Sequence, residues 1–230
     1  MSIAQDPGSH IAMIQTGNLR ELVRRALEAA LVAGELRPGE IYSAPGLAER
    51  FGVSATPVRE AMLDLVKDGF VEVVRNKGFR VVAMSELDLD RISDIRLMLE
   101  VPSTVRAAAL LTPGMTASLT RLADEIEQAA SGGDLIRYLD ADRRFHVELI
   151  ALLDNPTLTD LVDRFRRQTR LFGLDALVKS GRLVTSAREH HTLLATLRSG
   201  DAEATTRLIS AHIGHVRGVW AGREEDHPQA

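Results

Sequence analysis

Residues 46–82 read GLAERFGVSATPVREAMLDLVKDGFVEVVRNKGFRVV, and this stretch decides how the N-terminal third of the chain folds. A short helix is expected from about Ala44 to Phe51, broken by Gly52-Val53-Ser54. The next helix starts within Ser54 to Pro57; Ser54 or Thr56 can cap it, and Pro57 fits a first turn where its missing N–H costs nothing. It runs to Asp68 and stops at Gly69. Phe70–Arg75 and Phe79–Ala83 are β-branched and aromatic, and Asn76-Lys77-Gly78 between them is a hairpin signal. Two helices, a tight turn and a basic hairpin outline a winged helix-turn-helix. In that unit the second helix enters the major groove with its N-terminal residues facing base edges. The expected DNA contacts are Ser54, Ala55, Thr56 and Arg59, with Arg50 near the phosphate backbone. At the wing, Gly78 allows close backbone approach while Lys77 and Arg80 supply charge. Arg59 can fork onto guanine O6 and N7 or clamp a phosphate.

The motif has to carry the DNA reading, because charge does not. Over 230 residues the net charge is −4, and residues 50–80 hold 6 basic against 4 acidic side chains. The balance of 45% apolar and 26% charged residues is that of a folded soluble protein. No run approaches the roughly 18 apolar residues that cross a bilayer, and no signal or transit pattern opens the chain. A cytosolic location and no membrane partner are expected. With no cysteine, disulfides and thiolate metal sites are excluded, so any metal falls to His, Asp or Glu.

Residues 1–16 show no periodicity and are expected to be disordered; Gly8-Ser9-His10 reads as a tag remnant, with Met13 a native start. From Leu19 apolar residues recur at helical spacing to near Gly34. After Ser85, which has capping-box spacing with Asp88, the pattern turns helical throughout. Breakers divide it into helices over roughly 86–111, 115–131, 134–153, 157–178, 185–198 and 201–221, with a tail at 223–230. The fold class expected is mainly α: a winged helix-turn-helix over 17–84 and an all-α bundle over 85–222.

In that bundle, ionisable residues stand where apolar ones belong. The helix at 134–153 carries the stripe Leu135, Leu139, Asp142, His146, Leu149 and Leu153, with Asp142 and His146 at i, i+4 on one face. His190 heads the stripe Leu193, Leu194, Leu197, and His212 lies between Ile209 and Val216. A lone buried histidine is commonly a hydrogen-bonded core residue. An aspartate and three histidines aimed inward from three helices point instead to a divalent cation, since a buried carboxylate needs a partner. That donor set suits Zn²⁺, Ni²⁺, Mn²⁺ or Fe²⁺ and not Ca²⁺. On periodicity alone His191 competes with His190, and His215 with His212. Arg96, flanked by Ile92, Ile95 and Leu99, is a candidate anchor for an effector carboxylate or else a surface partner of Glu100; Arg106 and Arg143 are weaker candidates.

GELRPGE, LAERFGVSATPVREAM and DGFVEVVRNKGFRV over about 19–83 resemble the GntR family of bacterial transcription regulators. DRRFHVELI, DNPTL, SAREHHTLLATLRSGD and AHI over about 86–222 resemble the FCD-type sensing domain of its FadR-like branch. The resemblance implies six or seven helices around a metal-bearing cavity, with Asp142, His146, His190 and His212 as ligands. Aligning LRSGD selects His190, and AHI selects His212. It also implies a homodimer on a pseudo-palindromic operator, and a small organic acid that completes the metal's coordination. One position departs: the family commonly has an arginine where Ala55 stands. The expected function is a repressor, not an enzyme, whose operator affinity a small carboxylate controls. The competing readings are a metalloenzyme with an appended DNA-binding domain and a regulator whose metal is purely structural.

Overall fold

The computed structural model describes residues 16–170, 178 and 181–214. Helix α1 (Thr16–Val32) buries Val23, Leu27 and Ala30, one apolar stripe at helical spacing. Helix α2 (Ala44–Phe51) is capped by the Ser43 hydroxyl, which accepts from the Gly46 N–H. Helix α3 (Ala55–Lys67) turns Val58, Ala61, Met62 and Leu65 onto α1 and α2. Ser54 sits at its N-cap in extended backbone, yet its side chain makes no capping hydrogen bond. The helix therefore starts on the turn geometry and on Pro57, leaving Ser54 and Thr56 exposed.

The hairpin is β2 (Val71–Val74) and β3 (Gly78–Val81), turned at Asn76 with φ 60°. A third strand, β1 (Ile41–Tyr42), pairs with β3, giving the order β1-β3-β2 with every pair antiparallel. Two residues are too few to show alternation, so β1 left no trace in the sequence. It also explains Gly78. With φ at 132°, a Cβ there would collide with the Tyr42 carbonyl, so the chain's own strand already demands glycine.

The helical half comprises α4 (Glu86–Ala108), α5 (Pro113–Gly132), α6 (Leu135–Ala151), α7 (Pro156–Arg170), α8 (Leu183–Ser199) and α9 (Ala202–Gly214). Ser85 and Asp88 form the expected capping box of α4. Two separate cores result. One holds Leu27, Leu47, Met62, Leu65 and Phe79 of the reading half, the other Ile126, Tyr138, Phe145, Leu149, Leu194 and Ile209. Helix α4 is unusual, for it buries a polar stripe of Ser93, Arg96, Glu100, Ser103 and Thr104.

The expected irregular stretch at 1–16 lies outside the described residues except for Thr16, which belongs to α1. The helix ends read at 178 and 221, and the tail at 223–230, also fall outside, apart from Val178 itself. Among the described residues no helix is long and apolar enough to cross a membrane.

Candidate metal centre and DNA-reading face

Asp142, His146, His190 and His212 come together from α6, α8 and α9, each buried, with one ligand-capable atom of each residue within 4.8 Å of the others. His146 Nε2 lies 3.2 Å from His190 Nε2 and 3.2 Å from His212 Nε2. Asp142 Oδ1 lies 3.1 Å from His190 Nε2. The other ring nitrogens decide what these approaches mean. His190 Nδ1 is 3.0 Å from the Ala187 carbonyl, which can only accept, so Nδ1 carries the proton. His212 Nδ1 donates to Glu189 Oε2 at 2.8 Å. In its neutral form each ring therefore turns an Nε2 lone pair inward. His146 Nε2 holds at most one proton and cannot donate to both neighbouring rings. A cation would accept the three imidazole Nε2 atoms and the adjacent carboxylate oxygen together. Tetrahedral zinc, with bonds of about 2.0–2.1 Å, spaces its ligand atoms roughly 3.3 Å apart, so the residues fit that ion.

Burial pushes His146 well below its ordinary 6.5, aided by Arg166, and takes His212 down to about 4 against the pull of Glu189. Both imidazoles are thus neutral and ready to ligate near pH 7. Since the folded values lie below the unfolded one, the unfolded chain takes up protons that the folded chain refuses. The metal-free protein is therefore expected to lose stability as pH falls from about 6.5 toward 4, by on the order of 1 kcal/mol per pH unit for each imidazole. Melting temperatures of chelator-treated protein at pH 7.5, 6 and 5 check this; a flat profile contradicts it. Glu189 fixes the His212 ring without touching the centre. Glu189→Ala should weaken zinc binding about 10–100-fold, read by competition with a chromophoric chelator.

Beside the histidines lies a buried ionic network. Arg166 donates to Asp142 Oδ2 at 3.3 Å and through Nε to Glu100 Oε2 at 2.7 Å, with its Nη2 also on Glu100. Arg96 Nε donates to Glu100 Oε1 at 2.7 Å, and its Nη1 to the Thr169 hydroxyl at 3.1 Å. Burial works against the Glu100 charge, but Arg166 and Arg96 overcome it and hold the carboxyl below its usual range.

The structure separates the sequence candidates. His190 is buried at the centre, whereas His191 points away, 3.4 Å from Asp124. His212 is in the cluster, and His215 lies outside the described residues. Arg96 pairs with Glu100 but is 1% exposed, so the alternative of a surface pair is wrong. Arg106 is exposed, and Arg143 is engaged by Asp163 and Asp140 away from the centre. The sequence names Glu100 only as a surface partner of Arg96, and it does not single out Arg166, Thr169 or Glu189. Arg166 had a signal: Val162, Arg166 and Thr169 share a buried stripe on α7, the same anomaly that marks Asp142.

On the reading half, Ser54, Ala55, Thr56 and Arg59 all lie exposed at the start of α3, with Glu60 beside them. Arg50 is exposed at the end of α2, 3.5 Å from Glu35. Lys77 is exposed at the hairpin tip, while Arg80 is half-buried and bonded across the strands to Glu72 at 2.8 Å.

The two halves match two known domains. The gntR family of bacterial regulatory proteins matches residues 19–81, and the FCD domain matches residues 91–215. The HTH-type transcriptional regulator McbR of Escherichia coli K12 is 31% identical over 190 residues, 82% of this chain and 86% of that protein. The Nta operon transcriptional regulator of Aminobacter aminovorans is 30% identical, covering 79% of this chain and 85% of that one. The transcriptional repressor RspR of E. coli K12 is 24% identical over 87% and 88%. Among solved structures, E. coli McbR/YncC aligns with a TM-score of 0.69 at 29% identity, covering 86% of this chain and 94% of that one. The chain belongs to the GntR family of transcription regulators, in the FadR-like branch whose sensing half is an FCD domain. It is a DNA-binding regulator.

Proposed function

We propose that this chain is a cytoplasmic, homodimeric repressor whose affinity for a pseudo-palindromic operator is set by a small organic acid bound at a divalent metal. Zinc is the ion that best fits, held by Asp142, His146, His190 and His212. The observation that carries the reading is the convergence of three imidazole Nε2 atoms and a carboxylate oxygen, two of the rings locked by Ala187 and Glu189. When bound, the metal supplies a Lewis-acid position for a carboxylate oxygen. The charges favour an anion there: Arg96 and Arg166 balance Glu100 and Asp142, and with the half-buried Glu189 on His212 counted as well a divalent ion still leaves an excess of one positive charge. Arg96 remains the candidate anchor for a second carboxylate, reached by releasing Thr169 or Glu100. The repressor role follows the printed name of RspR, and the division of labour at residue 84 follows the two cores.

A thermal-shift screen of the zinc-loaded protein against small mono- and dicarboxylic acids tests the reading. A stabilising acid that is lost in the Asp142→Ala, His190→Ala variant supports it. Melting of the helical half on chelation, with no response to any acid, would make the metal structural.

Operator choice carries its own prediction. The Ala55 methyl has no donor for a guanine edge, and one bidentate arginine–guanine pair is worth about 1–3 kcal/mol of discrimination. Wild type and Ala55→Arg should therefore select different half-sites from a random duplex pool. Identical selected sequences would remove Ala55 from base reading.

A further inference from the structure

Helix α7 touches both the candidate metal centre and the end of the recognition helix, and it does so within four consecutive residues, Arg166 to Thr169. Arg166 and Thr169, at i and i+3, face the centre: one bonds Asp142 and Glu100, the other accepts from Arg96. Arg167 and Gln168 face the reading half. Arg167 Nη1 donates to Asp68 Oδ2 at 3.3 Å, while its Nε and Nη2 hold Asp163 at 3.0 and 2.8 Å. Asp68 is the C-cap residue of α3. The Gln168 amide lies against Gly69, so close that a Cβ at that position would collide with it, and Gly69 has φ at 80°. The turn that ends the recognition helix is thus seated on α7 by an ion pair and by a glycine contact.

The packing around this seat leaves room for movement. A cavity of about 590 Å³ separates the halves, lined by Arg24, Glu28 and Phe70 on one side and by Arg143, Arg166 and Arg167 on the other. Arg166 is therefore a wall shared by the centre and by the gap between the halves. Val32, at the end of α1, packs on the helical core and gives the reading half a second foothold. Small helix translations of about 1–2 Å are a common form of switching. Any shift of α7 that changes how Arg166 meets Asp142 carries the neighbouring Arg167 and Gln168 with it.

We infer that Arg167 and Gln168 are positioning residues for the recognition helix, and that α7 transmits the state of the metal centre through them to the Asp68-Gly69 turn. The transmission rests on the metal reading proposed above; the positioning does not. The distinction from a generic domain contact is that the two faces of one helical turn divide the tasks, so each can be altered while the other is kept.

The test uses the full chain, zinc alone as the probe, and a duplex selected by the wild type from a random pool. Hydrogen exchange of the amides at 68–71 and operator affinity are compared for wild type, Arg167→Ala with Gln168→Ala, and Arg167→Lys. In metal-free protein the double variant should exchange at least about tenfold faster at the turn and bind the operator at least about fivefold more weakly, with Arg167→Lys recovering part of both. Wild-type exchange and affinity in the double variant would overturn the positioning role. Calorimetry should then give the same zinc affinity for wild type and double variant, with zinc altering exchange at 68–71 only in the wild type. Zinc that binds the wild type without altering the turn, or that alters it equally in the double variant, would overturn the transmission. A wild type that binds no zinc would overturn the metal reading and the transmission, while the metal-free comparison still decides the positioning.

Discussion

Arg166→Ala should cost the metal-free fold about 3–5 kcal/mol, the range found when one partner of a buried ionic pair is removed. The guanidinium is fully buried and is shared between Glu100 and Asp142, so its loss leaves one guanidinium, Arg96, against two buried carboxylates. Arg96 still serves Glu100, but Asp142 Oδ2 loses the guanidinium that donates to it. For a chain of this size the change corresponds to a fall in melting temperature of roughly 6–20 °C, at about 2–4 °C per kcal/mol. Zinc should return part of the loss, because the cation again compensates Asp142. Denaturant titration with and without zinc checks both statements. A cost below about 1 kcal/mol would mean that the network is solvated, as exposed pairs are.

The second large effect concerns the ligands. Zinc at about 100 times its dissociation constant should stabilise the wild type by about 2.7 kcal/mol, since it binds the folded chain and not the unfolded one. In melting temperature that is roughly 5–10 °C. Asp142→Ala combined with His190→Ala removes two of four donors from two different helices and should abolish the shift entirely. The variant also relieves the lone-pair crowding around His190 Nε2, so its metal-free form need not be less stable than the wild type in proportion to the atoms lost. Differential scanning fluorimetry with and without chelator separates these contributions. A variant that keeps the full zinc shift would place the metal elsewhere.

The residues differ in how openly the sequence declares them. The helix-turn-helix is legible because its signals are local: Gly52, Pro57 and Gly69 punctuate segments whose apolar spacing is regular. Asp142 and His146 are legible because an apolar stripe on α6 surrounds them, although the stripe is centred on Tyr138, Ala141 and Phe145 as much as on Leu135 and Leu139. Arg166 obeys the same rule, but the run RFRRQT at 164–169 reads as a solvated face, and the buried guanidinium is hidden between the exposed Arg164 and the half-buried Arg167. Glu100 is hidden for a related reason. An i, i+4 pair with Arg96 is the ordinary mark of a surface helix, and only the tertiary contact from α7 makes the pair a buried one. Strand β1 is too short for any periodic signal, and the seating of Gly69 on Gln168 joins residues 99 positions apart. Contacts of that kind are made by the packing of whole elements and have no counterpart in a local window.

The measurement that bears most directly on the account is operator affinity of the zinc-loaded protein, with and without the carboxylic acid that gives the largest thermal shift. Two sites that communicate should show a coupling of about 1–3 kcal/mol, so the acid should change the dissociation constant about 5–150-fold, and the Asp142→Ala, His190→Ala variant should lose the effect. An operator affinity that stays the same while the acid is demonstrably bound at the metal would contradict the claim that this centre governs DNA binding.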